Sequence, residues 1–212
     1  MKDLYIIGAG GFGREVAWLV ERINQVEKTW TIKGFIDDNK ALHGTYEGGY
    51  PVLGGCEYLK DLTENTAVVC AVGSARIRSL IIDKLKDDKQ IEFVTLIDPS
   101  VQMSERVKIG VGSIICAGTL LTVDIQVGEH VILNLDCTVG HDAVLEDFVT
   151  VYPGVHISGN VRVEKEVELG TGTQIIQGKR IGRESIIGAG AVVIRDIPEK
   201  CTAVGNPARV IK

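Results

Sequence analysis

The sequence predicts a small, mostly parallel α/β sheet over residues 1–96, followed by a parallel β-helix over residues 97–212. Three observations carry that expectation. An apolar run ends in Gly8-Ala9-Gly10-Gly11-Phe12-Gly13 and feeds an amphipathic helical pattern, the layout of a phosphate-binding strand–turn–helix. Strand-like and helix-like segments then alternate as far as about residue 96. Beyond that point an aliphatic residue stands at every sixth position, without an insertion, from Ile109 to Val193.

In the first half, residues 4–7 read as a strand and 13–24 as a helix with Val16, Leu19, Val20 and Ile23 on one face. Residues 32–37 and 67–73 read as further strands. Residues 75–86 read as a second helix, with Ile77, Leu80, Ile81 and Leu85 expected to face inward. A last strand lies near residues 92–96. This is half of a doubly wound, Rossmann-like dinucleotide fold, with the glycine turn at the carboxyl end of the first strand.

In the second half the fifteen residues from Ile109 to Val193 in steps of six are all Ile, Leu or Val. Aliphatics make up roughly a quarter of ordinary composition, so chance does not produce that run. Two positions before each stands Val, Ile, Ala, Ser, Thr or Cys, with Lys179 the exception. A β-sandwich would not hold one phase so long, whereas short strands stacked in a column require it. Three hexads per turn make a triangular coil of 18 residues, and residues 18 apart stack about 4.8 Å apart.

Composition narrows the function. Hydrophobic residues are 45% and charged residues 24% of the 212, with a formal net charge of −5. That is a globular balance with no basic face for nucleic acid. No apolar run approaches membrane-spanning length and no secretory leader pattern opens the chain, so a cytoplasmic protein without a membrane partner is expected. The cysteines Cys56, Cys70, Cys116, Cys137 and Cys201 show no CxxC spacing and read as reduced thiols. The histidines are His43, His130, His141 and His156. Their spacing offers no zinc set. His130 and His43 read as surface residues and His156 as packed beside Ile157.

His141 stands two residues after the inward Val139, hence at a corner of the coil, with Asp142 next to it. One coil above it is Gly159, and two coils above is Gln177; one coil below is Val123. A glycine directly over a histidine leaves room for a substrate and an approachable N–H, as an oxyanion donor requires. At the other site, the glycine turn attracts any pyrophosphate, so it does not by itself distinguish NAD from a nucleotide sugar. Asp37 and Asp38 lie where a ribose partner would sit. An NAD-dependent oxidoreductase, a sugar-nucleotide-binding scaffold and an acyltransferase all remain open at this point. The first is disfavoured because only half a dinucleotide fold is present.

The hexad array closing on "IGAGAVVIRDIPEKCTAVGNPARVIK" resembles the hexapeptide-repeat acyltransferases. With "GAGGFGREV", "FIDD", "AVGSARIR" and "VGHDAVLEDFVTVYPGVHISGNV" added, the chain resembles the sialic acid O-acetyltransferases and UDP-4-amino-sugar N-acetyltransferases of bacterial surface-glycan synthesis. The resemblance implies a left-handed coil, a homotrimer and acetyl-CoA as co-substrate. It implies His141 as general base, oriented by Asp142. It also implies acetyl-CoA contacts at Asn134, Thr150, Gly159, Thr171 and Gln177, although Thr150 replaces the histidine often found there. The acceptor, a sugar or nucleotide sugar, would be held by Gly10, Gly11, Phe12, Gly13, Asp37, Asp38 and Gly73. No metal is implied. O-acetylation of free sialic acid, or of an amino acid, stays as an alternative.

Overall fold

In the computed structural model, which describes residues 1–62 and 65–212, the chain divides into two compact units. One comprises residues 1–73 and 77–99, the other residues 74–76 and 100–212.

The first unit is a six-stranded sheet. Its elements are β1 (Lys2–Ile7), α1 (Gly11–Val26), β2 (Trp30–Ile36), β3 (Tyr46–Glu47), β4 (Tyr50–Gly54), α2 (Cys56–Lys60), β5 (Thr66–Cys70), α3 (Ala75–Leu85) and β6 (Ile91–Phe93). The strand order is β3-β4-β2-β1-β5-β6. All neighbours are parallel except the hairpin β3–β4. The carboxyl halves of the central strands β1 and β2, and all of β5, are buried, as expected of a parallel sheet covered on both faces. Leu4, Ile6, Val68, Val69 and Cys70 are fully buried. From β1 the chain first builds β2 on one side and later β5 on the other. The order therefore reverses at the β1/β5 crevice, where open α/β sheets take their ligands.

The helix α1 buries Val16, Leu19 and Val20 as its periodicity predicts. Its far end is tied down by Arg22, whose guanidinium makes a two-pronged contact to Asp98 at 2.6 and 3.0 Å. The face expected for α3 is corrected in part. Leu85 is buried as expected and Ile81 is half-buried, but Ile77 and Leu80 are more than half exposed, and Ala75, Arg78, Ser79 and Ile82 join Leu85 on the inward side. The cause is Arg78, which turns inward to bond backbone carbonyls and rotates the more apolar stripe outward.

The second unit is a left-handed parallel β-helix. Its two-residue strands form three faces, and every pairing joins residues 18 apart: Ile132 with Thr150, Thr138 with His156, Val144 with Arg162. The hexad aliphatics are the interior column. Leu133, Val139, Val151, Val163 and Leu169 are fully buried, and only Ile109, in the first coil, is partly open. Each such side chain contributes roughly 1.5–3 kcal/mol by leaving water. A second six-residue period sits at the corners: every sixth residue from Gly112 to Gly190 has positive φ. Gly, Asn and Asp suit that conformation, and several of these corners carry them. Asp142, with φ 58°, is one of these corner residues.

All five cysteines are free. Burial holds the thiols of Cys70 and Cys137 protonated, with pKa values pushed up to about 11. Two histidine expectations, for His130 and His156, are corrected. His130 is buried, stacked on Phe148 one coil away with ring centroids 5.3 Å apart. His156 is exposed on a strand's outer side, its Nδ1 2.8 Å from Thr138 Oγ1. His43 is half-buried, its Nε2 2.8 Å from the Asp37 carbonyl.

Candidate active site

His141 and Asp142 occupy the corner that follows the strand Thr138–Val139. The neighbouring coils hold this corner in place: Asp142 N–H donates to the Val123 carbonyl at 3.1 Å, and Asn160 N–H donates to the His141 carbonyl at 2.8 Å. The positive φ at Asp142 folds its carboxylate back over the preceding residue. Oδ2 lies 2.8 Å from His141 Nδ1, and both side chains are about half exposed. A carboxylate only accepts, so Nδ1 carries the proton and donates it to Asp142. In the neutral ring this leaves Nε2 with its lone pair.

The face of the imidazole at Nε2 packs over Gly159, and the lone pair, in the ring plane, points past it. A Cβ built on Gly159 would lie 2.4 Å from Nε2 and 2.6 Å from Cε1, so the imidazole occupies the space a side chain would need. Gly140 is equally constrained: a Cβ there would lie 2.6 Å from the Gly159 nitrogen. Two glycines therefore let the His141 ring and the two coil backbones pack closely at this corner. A basic nitrogen beside a backbone donor is the arrangement acyl transfer needs, one group for the attacking proton and one for the developing oxyanion.

The other expected acetyl-CoA residues divide between two places. Gln177 is exposed at the corner of His141 and Gly159, where Gly178 N–H donates to the Gly159 carbonyl at 3.0 Å. Asn134 and Thr171 lie at a different corner, after the strands Ile132–Leu133 and Glu168–Leu169. Asn134 is 8% exposed, and its Oδ1 accepts the Leu135 N–H at 2.7 Å. Thr150 opens the strand Thr150–Val151 and is buried. One side of the triangle separates the two corners within a chain, on the order of 20 Å of backbone.

In the first unit the glycine turn runs from β1 into α1. Gly13 is required by packing, because a Cβ there would lie 1.9 Å from the Gly8 carbonyl oxygen. Gly10 and Gly11 have nothing within 4 Å of a built Cβ, and Gly10 has an ordinary φ of −73°. No packing constraint accounts for glycine at those two positions. Gly10 caps α1 without a side-chain bond, and the first-turn N–H groups of Gly11, Phe12 and Gly13 fall outside the helix ladder. Asp37 holds this turn: its Oδ2 accepts the Ala9 N–H and its Oδ1 the Asn39 N–H, both at 2.9 Å. Asp38 Oδ1 accepts the Cys56 N–H at 2.9 Å, next to the start of α2. Gly73 lies across the β1/β5 crevice, just beyond β5.

Arg78 was not singled out from the sequence. Its only signal there was a charged residue on the helical stripe shared by Ala75, Ile82 and Leu85. Among the described residues no group of three or more His, Cys, Asp or Glu side chains could hold a metal ion. Also among them, no helix is long and apolar enough to cross a membrane.

Residues 3–85 match the PglD N-terminal domain family. Over 218 aligned positions the chain is 31% identical to a GDP-perosamine N-acetyltransferase of Escherichia coli O157:H7, covering 99% of this chain and 97% of that one. Perosamine N-acetyltransferase PerB of Caulobacter crescentus, crystallised with CoA and GDP-perosamine, superposes with a TM-score of 0.91 at 30% identity, over 100% of this chain and 98% of that one. The acetyltransferase domain of PglB from Neisseria gonorrhoeae, in complex with acetyl coenzyme A, superposes with a TM-score of 0.89 at 33% identity, over 99% of both chains.

A stacked-hexad coil with a histidine–aspartate corner, and relatives of these kinds, defines a hexapeptide-repeat acetyltransferase. Within that class the chain belongs to the PglD-like family of acetyl-CoA-dependent sugar acetyltransferases. The choice the glycine turn left open is thereby decided against hydride transfer.

Proposed function

We propose that the chain acetylates the amino group of a nucleotide-activated sugar, with acetyl-CoA as donor and His141 as general base. The observation that carries this reading is the His141–Asp142 pair, with the imidazole face packed over Gly159 and the Nε2 edge left open. The acceptor amine attacks the thioester carbonyl and its proton passes to Nε2. Asp142 holds the Nδ1–H and stabilises the imidazolium that forms. The Gly159 N–H steadies the tetrahedral oxyanion. Collapse expels the CoA thiolate, which takes the proton back from Nε2, giving an N-acetyl sugar and free CoA thiol.

Gly10, Gly11, Phe12, Gly13 and Gly73 line the acceptor's diphosphate site at the β1/β5 crevice, with Asp37 and Asp38 shaping its rim. Nucleotide-sugar chemistry is supported by the bare surface at Gly10 and Gly11, which packing does not require, and by the GDP-perosamine seen with the Caulobacter relative.

The split of the acetyl-CoA residues between two corners supports a cyclic trimer. In such an assembly the His141, Gly159 and Gln177 corner of one chain meets the Asn134 and Thr171 corner of the next, with Thr150 behind the latter. Each site is then built from two chains, and a monomer carries only half of each. A cytoplasmic site of action fits the supply of both acetyl-CoA and nucleotide sugars.

The test is thiol release from acetyl-CoA against UDP-, dTDP- and GDP-linked amino sugars, free sialic acid and serine, with light scattering on the same sample. Turnover of an amino-sugar nucleotide by a trimer is expected. Turnover of sialic acid or serine alone, or activity from a monomer, would contradict the reading.

A further inference from the structure

Arg78 is fully buried, a rare state for arginine. A guanidinium is tolerated there only when its donors are met. Its Nη1 donates to the Val72 carbonyl at 2.6 Å and to the Gly73 carbonyl at 3.1 Å. These carbonyls lie between the end of β5 and α3, on the wall of the β1/β5 crevice opposite the glycine turn. The two walls nearly touch at their base: a Cβ on Gly8 would lie 3.0 Å from the Ala71 carbonyl oxygen and 3.3 Å from Val72 Cγ2.

The direction of those carbonyls decides what the crevice can hold. A peptide carbonyl pointing into it would present partial negative charge to a diphosphate. In a trans peptide the C=O and the following N–H point in opposite directions. Drawing the Val72 and Gly73 oxygens onto Arg78 therefore turns the succeeding N–H dipoles the other way. It also places a full positive charge behind the wall, in a medium that screens it poorly.

We infer that Arg78 is a positioning residue for acceptor binding. It clasps the Val72–Gly73 backbone so that this wall accepts a diphosphate. The inference rests on the acceptor assignment made above. Arg78 itself does not touch substrate.

The experiment is calorimetric titration of the full-length chain with UDP, dTDP and GDP, and separately with acetyl-CoA, for wild type, Arg78→Lys and Arg78→Met. The wild type is expected to bind at least one nucleoside diphosphate. Arg78→Met is expected to weaken that binding by about tenfold or more, with acetyl-CoA affinity unchanged. Arg78→Lys, which keeps the charge but not the two-carbonyl fork, should fall between.

A folded Arg78→Met chain with wild-type diphosphate affinity would overturn the inference. So would equal losses for diphosphate and acetyl-CoA, the mark of a general structural defect. Should Arg78→Met fail to fold by circular dichroism, Arg78→Lys decides: undiminished diphosphate affinity overturns the inference, and a selective loss supports it. A wild type that binds acetyl-CoA but no nucleoside diphosphate removes the acceptor assignment itself, and the inference with it.

Discussion

Replacing Gly159 by alanine probes the proposed catalytic corner with a single methyl group. The new Cβ would sit 2.4 Å from His141 Nε2, 2.6 Å from Cε1 and 2.9 Å from Cδ2. An ordinary contact begins near 3.4 Å, so the ring must retreat by roughly 1 Å, and a displacement of that size costs about 10²-fold in rate. The His141 side chain is about half exposed and can swing outward. That movement strains or breaks the 2.8 Å bond to Asp142 and takes Nε2 away from the attacking amine. At about 1.4 kcal/mol per tenfold, the barrier rises by about 2.8 kcal/mol. Gly159 is absent from the positive-φ positions, so alanine adds no backbone strain. The assay is thiol release from acetyl-CoA at saturating acceptor, with thermal melting as the folding control. A kcat near 1% of wild type with little change in Tm is expected. Gly159→Ala retaining more than half of wild-type kcat would refute the placement of the base against this glycine.

Four further outcomes follow from the same geometry. Asp142→Asn keeps a residue that tolerates positive φ but replaces the carboxylate by a neutral amide, whose NH2 can donate to Nδ1 and favour the wrong tautomer and which no longer offsets an imidazolium, so kcat should fall by about 10² or more with the fold intact. Gly10→Ala meets no neighbour and no φ penalty; it should leave Tm unchanged and raise KM for the nucleotide sugar alone, read from initial rates. Leu133→Ala empties part of the interior column and should cost about 2–5 kcal/mol in denaturant unfolding. Burial raises the Cys70 and Cys137 thiols to about 11 from an ordinary value of 9.0. Their contribution is therefore fully present below pH 9 and is lost as pH rises toward 11, about 2–3 kcal/mol per thiol. Unfolding midpoints followed across that window should decline less steeply in Cys70→Ala and Cys137→Ala than in wild type.

The coil was legible because its interior admits only one kind of residue at one spacing. Ile109 to Val193 name the inward column by composition alone, and the structure places each as the second residue of a two-residue strand. The stacking of Gly159 over His141 followed from the 18-residue turn by counting. The corner conformation was less visible, since Phe148, His130 and Glu166 share with Asp142 a positive φ that their types do not advertise. The α3 face was misread because apolarity pointed to Ile77 and Leu80, while the helix is oriented by hydrogen bonds from Arg78, an interaction that hydrophobic periodicity does not register. The hairpin β3–β4 has a Gly48-Gly49 turn that could have been read, but the flanking residues do not alternate in polarity. Asp37 and Asp38 lie where a ribose partner would sit. In the fold, carboxylate oxygens of both are bonded to backbone N–H groups, and a pairing of that kind depends on which loops meet.

The most direct measurement compares wild type and His141→Ala with isotopically labelled acetyl-CoA and the amino-sugar nucleotide that the wild type turns over best, identifying the product by mass spectrometry. The account predicts label in an amide on the sugar nitrogen with wild type, and a rate lower by about 10²–10⁴ with the variant, while acetyl-CoA binding persists. Label on a hydroxyl, or a His141→Ala rate equal to wild type, would contradict it.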